Sequence, residues 1–597
     1  MFSLLTNILT VNPSKHPAAL ALVSKDTIGS KTSIFVKFKL FFSSLNKIVP
    51  ILFVSLLFAG CGGSSNGTNN GTTPNTPTIP TTINASTPAI TTQPQSANYT
   101  QGDTPKTLNI MASVTDGGNL TYQWYGNGTA ISGATATSYT PPTSSVGTTN
   151  YHVVVTNTNS NVNGSKTATV TSNTATIIVT LPKYTVKCFD NNLDLLKEAK
   201  VEKGEITPSD ICDTGTWYLT EGAEVAQHTL DGDANFYKSA NVVEISDQEE
   251  LSNIRSGLSG AYILMNDIVL ESDGAGFDAQ GWQPIGKHYD GDINKFRGVL
   301  NGNGYVISGL WINKDAVVHI FDSHYRGLFG SIKNGAVKNL GVKTANDGVQ
   351  GHLNVGIIAG AIESSTITDS YTEGNVSGES NIGGIVGSVN ANAKIMRSYS
   401  SANAIGEKMS VGGIAGYAID AAGEGLAWII DSYAIGNVTG SKWVGGIAGD
   451  AYSYAIITNC YATGNIIGIE ESIGGIVGRV HSVSNITNSA ALNPLVKGYN
   501  ANRIVGGTTS TGNKISNNFA LNTMDIVMTT NDVYTGGNSG TSKDTTELQT
   551  QSTYENATNA DGSGGLGWAF DGDNATAPWK MDADKNGGYP YLYWQKL

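Results

Sequence analysis

From residue 327 onward the apolar residues fall in short runs separated by Gly, Asn, Asp and Ser, and the runs recur at a nearly constant interval. Val337, Ile367, Ile395, Ile429, Ile457, Ile486 and Ile515 form one aligned series, spaced 28–30 residues apart except for a step of 34 between Ile395 and Ile429. A period of this length, built from short β runs and turn residues, fits one coil of a parallel β-solenoid. Coils stack at about 4.8 Å, so identical positions meet their own kind and pack as ladders. The series is therefore predicted to be an aliphatic ladder. The longer step, at Asp420–Leu426, is predicted to leave its coil as a loop.

Two further columns run beside the ladder. Four residues after the aliphatic position stand Tyr371, Tyr399, Tyr433 and Tyr461, with Ala490 continuing the series. Between the two columns lie Asn339, Asp369, Arg397, Asp431, Asn459, Asn488 and Asn517. Strict alternation would put all three columns on one buried face, which is costly for Asp. A corner is the cheaper solution, because Asn and Asp favour turns and tolerate left-handed backbone. Arg397, between Asp369 and Asp431, suggests charge pairing from coil to coil. The competing reading is a catalytic acid cluster of Asp369 and Asp431, as polysaccharide hydrolases or lyases with a β-helix fold would use.

Upstream, residues 84–181 carry short β-branched runs such as Leu120–Tyr125 and Tyr151–Val155, the pattern of a β-sandwich. The segment resembles bacterial immunoglobulin-like domains, with Trp124 as the core Trp and Tyr151 at the tyrosine corner. Val153 stands where that family's second Cys would be. Residues 183–240 read as a small β-rich module clipped by a Cys188–Cys212 disulfide. Asp247–Leu251 suggests a short capping helix, and Phe296–Ile312 resembles the first coils of pectin-lyase-like solenoids. Trp568, Phe570, Trp579 and the segment Tyr589–Trp594 supply aromatics for a C-terminal cap.

The N-terminal pattern is different. Ile48–Ala59 is an apolar run preceded by Lys37, Lys39 and Lys47. It is too short to cross a bilayer as a helix, which needs about 20 residues, and fits the core of a signal peptide. It ends in Leu57-Phe58-Ala59-Gly60-Cys61, which resembles the bacterial lipobox, whose Cys becomes a lipidated N-terminus. Residues 62–82 are almost devoid of apolar side chains and read as a flexible tether. Gly62 after Cys61, in place of Asp, favours outer-membrane placement in a Gram-negative cell.

Composition narrows the function. The chain has 597 residues, with Gly at 72 of them, charged residues at 14%, and a net charge of −13. Turn-rich β structure follows, and a nucleic-acid partner is disfavoured. No HExxH, P-loop or convincing nucleophile motif is present, so no catalytic residue is assigned. Asp582, Asp584 and Asn586, followed by Gly587, match the first half of a calcium loop. Tyr593 occupies the position of that loop's bidentate Glu. Calcium is the one cofactor these residues suggest.

Three signatures recur together: Gly-Gly-Ile-Val/Ala-Gly from Gly383, Gly412, Gly445 and Gly474; Asp/Arg/Asn-Ser/Cys-Tyr ending at Tyr371, Tyr399, Tyr433 and Tyr461; and Gly-Asn-Val/Ile from Gly374, Gly436 and Gly464. The region 240–597 resembles the GLUG repeat family of bacterial surface and adhesin-like proteins. The expected fold class is all-β: an Ig-like sandwich followed by a parallel β-solenoid. The expected order is leader and signal peptide 1–60, lipidated Cys and linker 61–82, Ig-like domain 83–181, small module 183–240, N-terminal cap and opening coils 241–326, GLUG solenoid 327–522, and C-terminal coil with aromatic cap 523–597. Together with the signal-peptide pattern and the lipobox-like Cys61, the resemblance implies an exported protein held to the membrane by lipid, presenting a solenoid face to a glycan or a host or partner-cell protein. A polysaccharide-active enzyme and a passive envelope structural protein are the alternatives.

Overall fold

Each coil turns at three places, so the solenoid has three parallel sheets. The coil that starts at Thr366–Thr368 continues through Tyr371–Glu373 and Asn375–Gly383, then Val386–Asn390, before Lys394–Met396 opens the next. The first of these strands belongs to a ten-stranded sheet, the middle pair to a 22-stranded sheet, and Val386–Asn390 to a seven-stranded sheet. The computed structural model describes residues 80–288, 291–313, 323–420, 425–529, 538–555, 565–570 and 576–595. Cys61, the leader and most of the tether lie outside the described residues, as do 421–424 of the expected loop. Residues 82–597 form one unit.

The ladder is in register along the ten-stranded sheet. Val337 pairs with Ile367, Ile367 with Ile395, Ile395 with Ile429, Ile429 with Ile457, Ile457 with Ile486 and Ile486 with Ile515. Leu300 and Tyr262 extend it by two coils upstream, through Leu300–Val337 and Tyr262–Leu300. Val337 through Ile486 are fully buried. Each buried Ile contributes about 1.5–3 kcal/mol, and the repeat makes that contribution continuous along the axis.

The corner after the ladder strand is left-handed in each coil from Val337 to Ile515. Asn339, Asp369, Arg397, Asp431, Asn459, Asn488 and Asn517 have φ between 48° and 55°. Asn and Asp bear this conformation at the smallest cost among residues with a side chain. The left-handed residue also shifts the alternation by one, and here the structure departs from expectation. Ser370, immediately after it, points inward and is fully buried, while Tyr371 points outward and is only partly buried. The Tyr column is therefore external, not on the Ile face.

An inward column of small polar residues takes its place: Ser370, Ser398, Ser432, Cys460 and Ser489. Each Ser hydroxyl donates to the carbonyl two residues back, and from coil to coil each accepts a main-chain N–H: Ser370 N–H donates to Ser398 Oγ at 3.3 Å, and Ser398 N–H to Ser432 Oγ at 3.2 Å. Buried polar groups at the corner are thus satisfied. Cys460 fills one Ser place, where burial pushes its thiol well above the usual range.

The second corner is the Gly-Gly step. A Cβ on Gly383 would collide with the Val386 carbonyl oxygen and stand 2.7 Å from Ala415 Cα in the next coil. Only Gly allows this approach.

Before the solenoid, a six-stranded sheet includes the antiparallel strands Asn119–Gly126 and Gly147–Thr158, and pairs Ala175–Thr180 with Ala97–Thr100 in parallel. Trp124 is fully buried opposite Val153, and its indole N–H donates to the Ala136 carbonyl at 3.0 Å. In the 183–240 segment, Lys183–Phe189 pairs with Leu195–Glu202 and Ala234–Tyr237, and Cys188 is disulfide-bonded to Cys212 with a Cα–Cα distance of 5.6 Å. A helix spans Gln248–Asn253; the Asp247 carboxylate accepts from Glu250 N–H at 2.9 Å, and Leu251 is buried in the solenoid core.

The C-terminal aromatics differ from an end cap. They run back along the side of the solenoid, over the outward Tyr column.

Candidate binding face

Other segments of the chain lie over the opening coils of the ten-stranded face and along the 22-stranded side. On the ten-stranded face, Asn301 donates its amide to the Leu193 carbonyl at 2.6 Å, and Lys338 forms an ion pair with Asp194. Phe189, Leu193 and Tyr237 pack beside them on Val242 and Ile263. The 183–240 segment thus lies against the opening coils.

On the 22-stranded side, Tyr371, Tyr399, Tyr433 and Tyr461 stack face to face, with ring centroids 5.1, 5.0 and 4.7 Å apart and planes within 5°. The C-terminal segment lies over them as a strap. Trp568 and Trp579 sit against Tyr461, and Trp594 stacks on Tyr399 at 5.7 Å. Gln595 donates to the Tyr433 hydroxyl at 2.6 Å, and the Tyr461 hydroxyl donates to the Pro590 carbonyl at 2.6 Å. Burial pushes Tyr399 up to about 12 and Tyr433 higher still.

The carboxylates that an acid cluster would use lie in this covered zone. Asp369 accepts two hydrogen bonds from Arg397, at 2.8 and 2.7 Å, and the Tyr593 hydroxyl stands 3.5 Å away. Asp431 accepts from the Asn459 amide at 2.9 Å. Burial pushes its carboxyl up, against the pull of that amide. The pairing expected of Arg397 is made with Asp369 only; Asp431 is served by Asn459.

The calcium-loop residues are used in the same strap. Asn586 donates its amide to the Tyr461 hydroxyl at 2.7 Å and to the Pro590 carbonyl at 2.8 Å, while Asp582 accepts from its own loop, at Asp584 N–H, at 3.0 Å. The Asn586 amide nitrogen is thereby turned towards the Tyr column. Among the described residues no group of three or more His, Cys, Asp or Glu is placed to hold a metal ion.

The seven-stranded face carries a cleft. Its outward residues follow one another in register: Ser331, Ala361, Ser388, Tyr417, Asp450 and Arg479 in one column, and Lys333, Glu363, Asn390, Ile419 and Tyr452 in the next. The cleft, of about 350 Å³, lies between a His288–Tyr325 stack (3.8 Å, 9°) and Tyr417. Its floor is an amide ladder, with Asn381 donating to Asn354 Oδ1 at 2.9 Å, and Ser388 donating to Asn390 Oδ1 at 2.8 Å.

Charges at the upper end of the cleft cancel. Lys333 bridges Glu363 at 2.7 Å and Asp292 at 2.9 Å; Lys295 bridges Asp292 at 3.0 Å and Glu363 at 3.2 Å. Burial opposes the ionisation of Glu363, yet the two Lys hold it below its usual value, and hydrogen bonds from both Lys lower Asp292 to about 2. Burial, then the Lys295 charge, lowers His288 to about 4, so its ring is neutral at physiological pH. At the lower end Arg479 pairs with the fully buried Asp450 and lies 3.4 Å above the Trp443 ring. Tyr452 stacks on His481 at 4.3 Å.

Sequence reasoning missed this face, because its residues differ from coil to coil and form no repeated column. The signal available was the variation itself, Ser388, Tyr417, Asp450 and Arg479 at one place in successive coils.

Comparison with known proteins fits the coil. Residues 443–467 match the GLUG motif. Over 95 residues, 15% of this chain and 10% of the relative, the chain is 42% identical to the "Putative Gly-rich membrane protein" of Evansella cellulosilytica. Over 157 residues, 25% of this chain and 2% of the relative, it is 29% identical to halomucin of Haloquadratum walsbyi. The matches thus span a tenth or less of these relatives' lengths. The matched segment begins at left-handed Trp443, crosses the Gly445-Gly446 corner and the seven-stranded face, and passes through Ile457, Asn459 and Tyr461 to Asn465 and Ile466. Residues 443–467 thus carry a GLUG motif, and here that motif builds one coil of a parallel β-solenoid.

Proposed function

We propose that this chain is an exported surface lipoprotein that binds its partner through the seven-stranded face of the solenoid. One observation carries the reading. The opening coils of the ten-stranded face lie under residues 183–240 and the Tyr column under the strap, while the seven-stranded face holds a cleft lined by amides, a hydroxyl and aromatic rings. An extended repeat surface suits binding without a reactive centre. The names of the two relatives support a place at the cell envelope. In this reading Cys61 carries the lipid, residues 62–82 are the tether, the 83–181 domain is a spacer, and the anchoring leaflet is that of the outer membrane.

The test is adhesion of cells that produce the full chain with its own leader, measured on glycan, matrix-protein and partner-cell surfaces. Adhesion above that of cells displaying an unrelated solenoid is expected, with release of the chain into the medium on Cys61→Ser. Adhesion equal to the control would overturn the binding role in favour of a passive structural one. Retention of the Cys61→Ser chain at the cell surface would overturn the lipid anchor.

A further inference from the structure

We propose that the cleft between the His288–Tyr325 stack and Tyr417 takes a neutral polysaccharide strand lying along the solenoid axis. This rests on the surface-binding reading and names the ligand for it. Sugar hydroxyls both donate and accept hydrogen bonds, and amide groups answer both needs. Asn381 spends one amide hydrogen on Asn354, and Asn390 accepts from Ser388, so on these two cleft-lining residues the Asn381 oxygen and the Asn390 NH2 group are left without another partner among the described residues.

Tyr417 adds a half-buried ring on the same wall, the kind of flat apolar surface on which the C–H face of a pyranose rests. Dimensions agree as well. From the strand Phe329–Lys333 to Ala415–Ile419 there are three coil spacings, about 14 Å, the reach of a short run of linked sugars.

Charge selects the class. Asp292 and Glu363 are each bridged by both Lys295 and Lys333, so two negative and two positive groups balance. His288 is neutral at physiological pH. Further along the face Arg479 is committed to Asp450. A polyanion would find no unpaired cation among these groups, and the chain's net charge of −13 opposes its approach. An uncharged glycan meets neither penalty.

The test is calorimetric titration of the full chain, in detergent, with neutral gluco-, manno- and xylo-oligosaccharides, and with oligogalacturonate as the anionic probe. Binding of at least one neutral series is expected, with affinity lowered about tenfold by Tyr417→Ala and by Asn381→Ala. Trp428→Ala, on the ten-stranded face, is the control and is expected to leave affinity unchanged. A melting scan of each variant separates lost binding from lost folding, and Tyr417→Phe is expected to retain affinity. Tighter binding of oligogalacturonate, or neutral binding indifferent to both Tyr417→Ala and Asn381→Ala, would overturn the assignment. So would binding of no glycan by a chain whose cells still adhere, a result that leaves the surface-binding reading standing with a protein partner.

Discussion

The indole N–H of Trp594 donates to the main-chain oxygen of Arg397 at 3.0 Å, across 197 residues of sequence. Arg397 is itself a left-handed corner residue, so the strap is fastened to the corner column of the solenoid as well as to the Tyr rings. Trp594→Ala removes both attachments. Full Trp truncation in a core costs about 3–5 kcal/mol; Trp594 is partly exposed, so about 2 kcal/mol is expected. Urea unfolding followed by near-ultraviolet circular dichroism reads the loss. An unchanged midpoint would mean that the strap contributes nothing to stability.

The Arg397–Asp369 pair is largely buried, with side-chain exposures of 15% and 10%. Arg397→Ala strands the carboxylate and should cost about 3 kcal/mol. Elsewhere in the column Asn517 donates to Asn488 Oδ1 at 2.7 Å, an uncharged pair in the same geometry. The double variant Asp369→Asn, Arg397→Asn copies that pair and is expected to recover most of the lost stability. If the double variant is as unstable as Arg397→Ala, the charge itself is required.

Asp431 gives a pH signature. Burial raises its carboxyl in the folded chain, so the folded state holds the proton more tightly than the unfolded state. Stability from this group is then greatest at low pH and is lost as pH rises from the unfolded carboxylate value through the raised folded one. Asp431→Asn keeps the acceptor for Asn459 and the tolerance of left-handed backbone. It should raise the melting temperature by a few degrees at pH 7 and have little effect near pH 3. A variant less stable than the parent at pH 7 would show that the ionised group is favourable there.

Backbone conformation is separable from side-chain bonding at Asn488, whose φ is 51°. Gly and Val both remove the hydrogen bond from Asn517, so the difference between them isolates the left-handed corner. Asn488→Val should be less stable than Asn488→Gly by about 1–2 kcal/mol. Equal melting curves would mean that the corner relaxes.

The coil period, the Ile ladder and the left-handed column were legible because each repeats, and repetition turns a weak local preference into a pattern. The face taken by the Tyr column was not legible in the same way. Strict alternation carries Ile367 and Tyr371 to one face, but the left-handed Asp369 between them resets the alternation and turns Tyr371 outward. With Tyr371 outside, Ser370 became the inward residue, and its hydroxyl ladder was hidden in a column that looked like turn filler. The strap was unreadable for another reason. Trp579 and Trp594 announce themselves as aromatics, but no spacing relates them to Tyr433 and Tyr399. Cleft residues such as Tyr417 and Asn390 vary by coil, and only the fold brings them together.

The most direct test of which face looks outward is labelling of intact cells with a membrane-impermeant maleimide, using two single-Cys probes. Asn390→Cys reports the seven-stranded face and Tyr433→Cys the column under the strap; the native Cys460 is buried and Cys188 is bonded to Cys212. The account predicts prompt labelling at 390 on unbroken cells and none at 433 until the chain is unfolded. Labelling at 390 only after the cells are broken, or equal rates at the two positions, would contradict it.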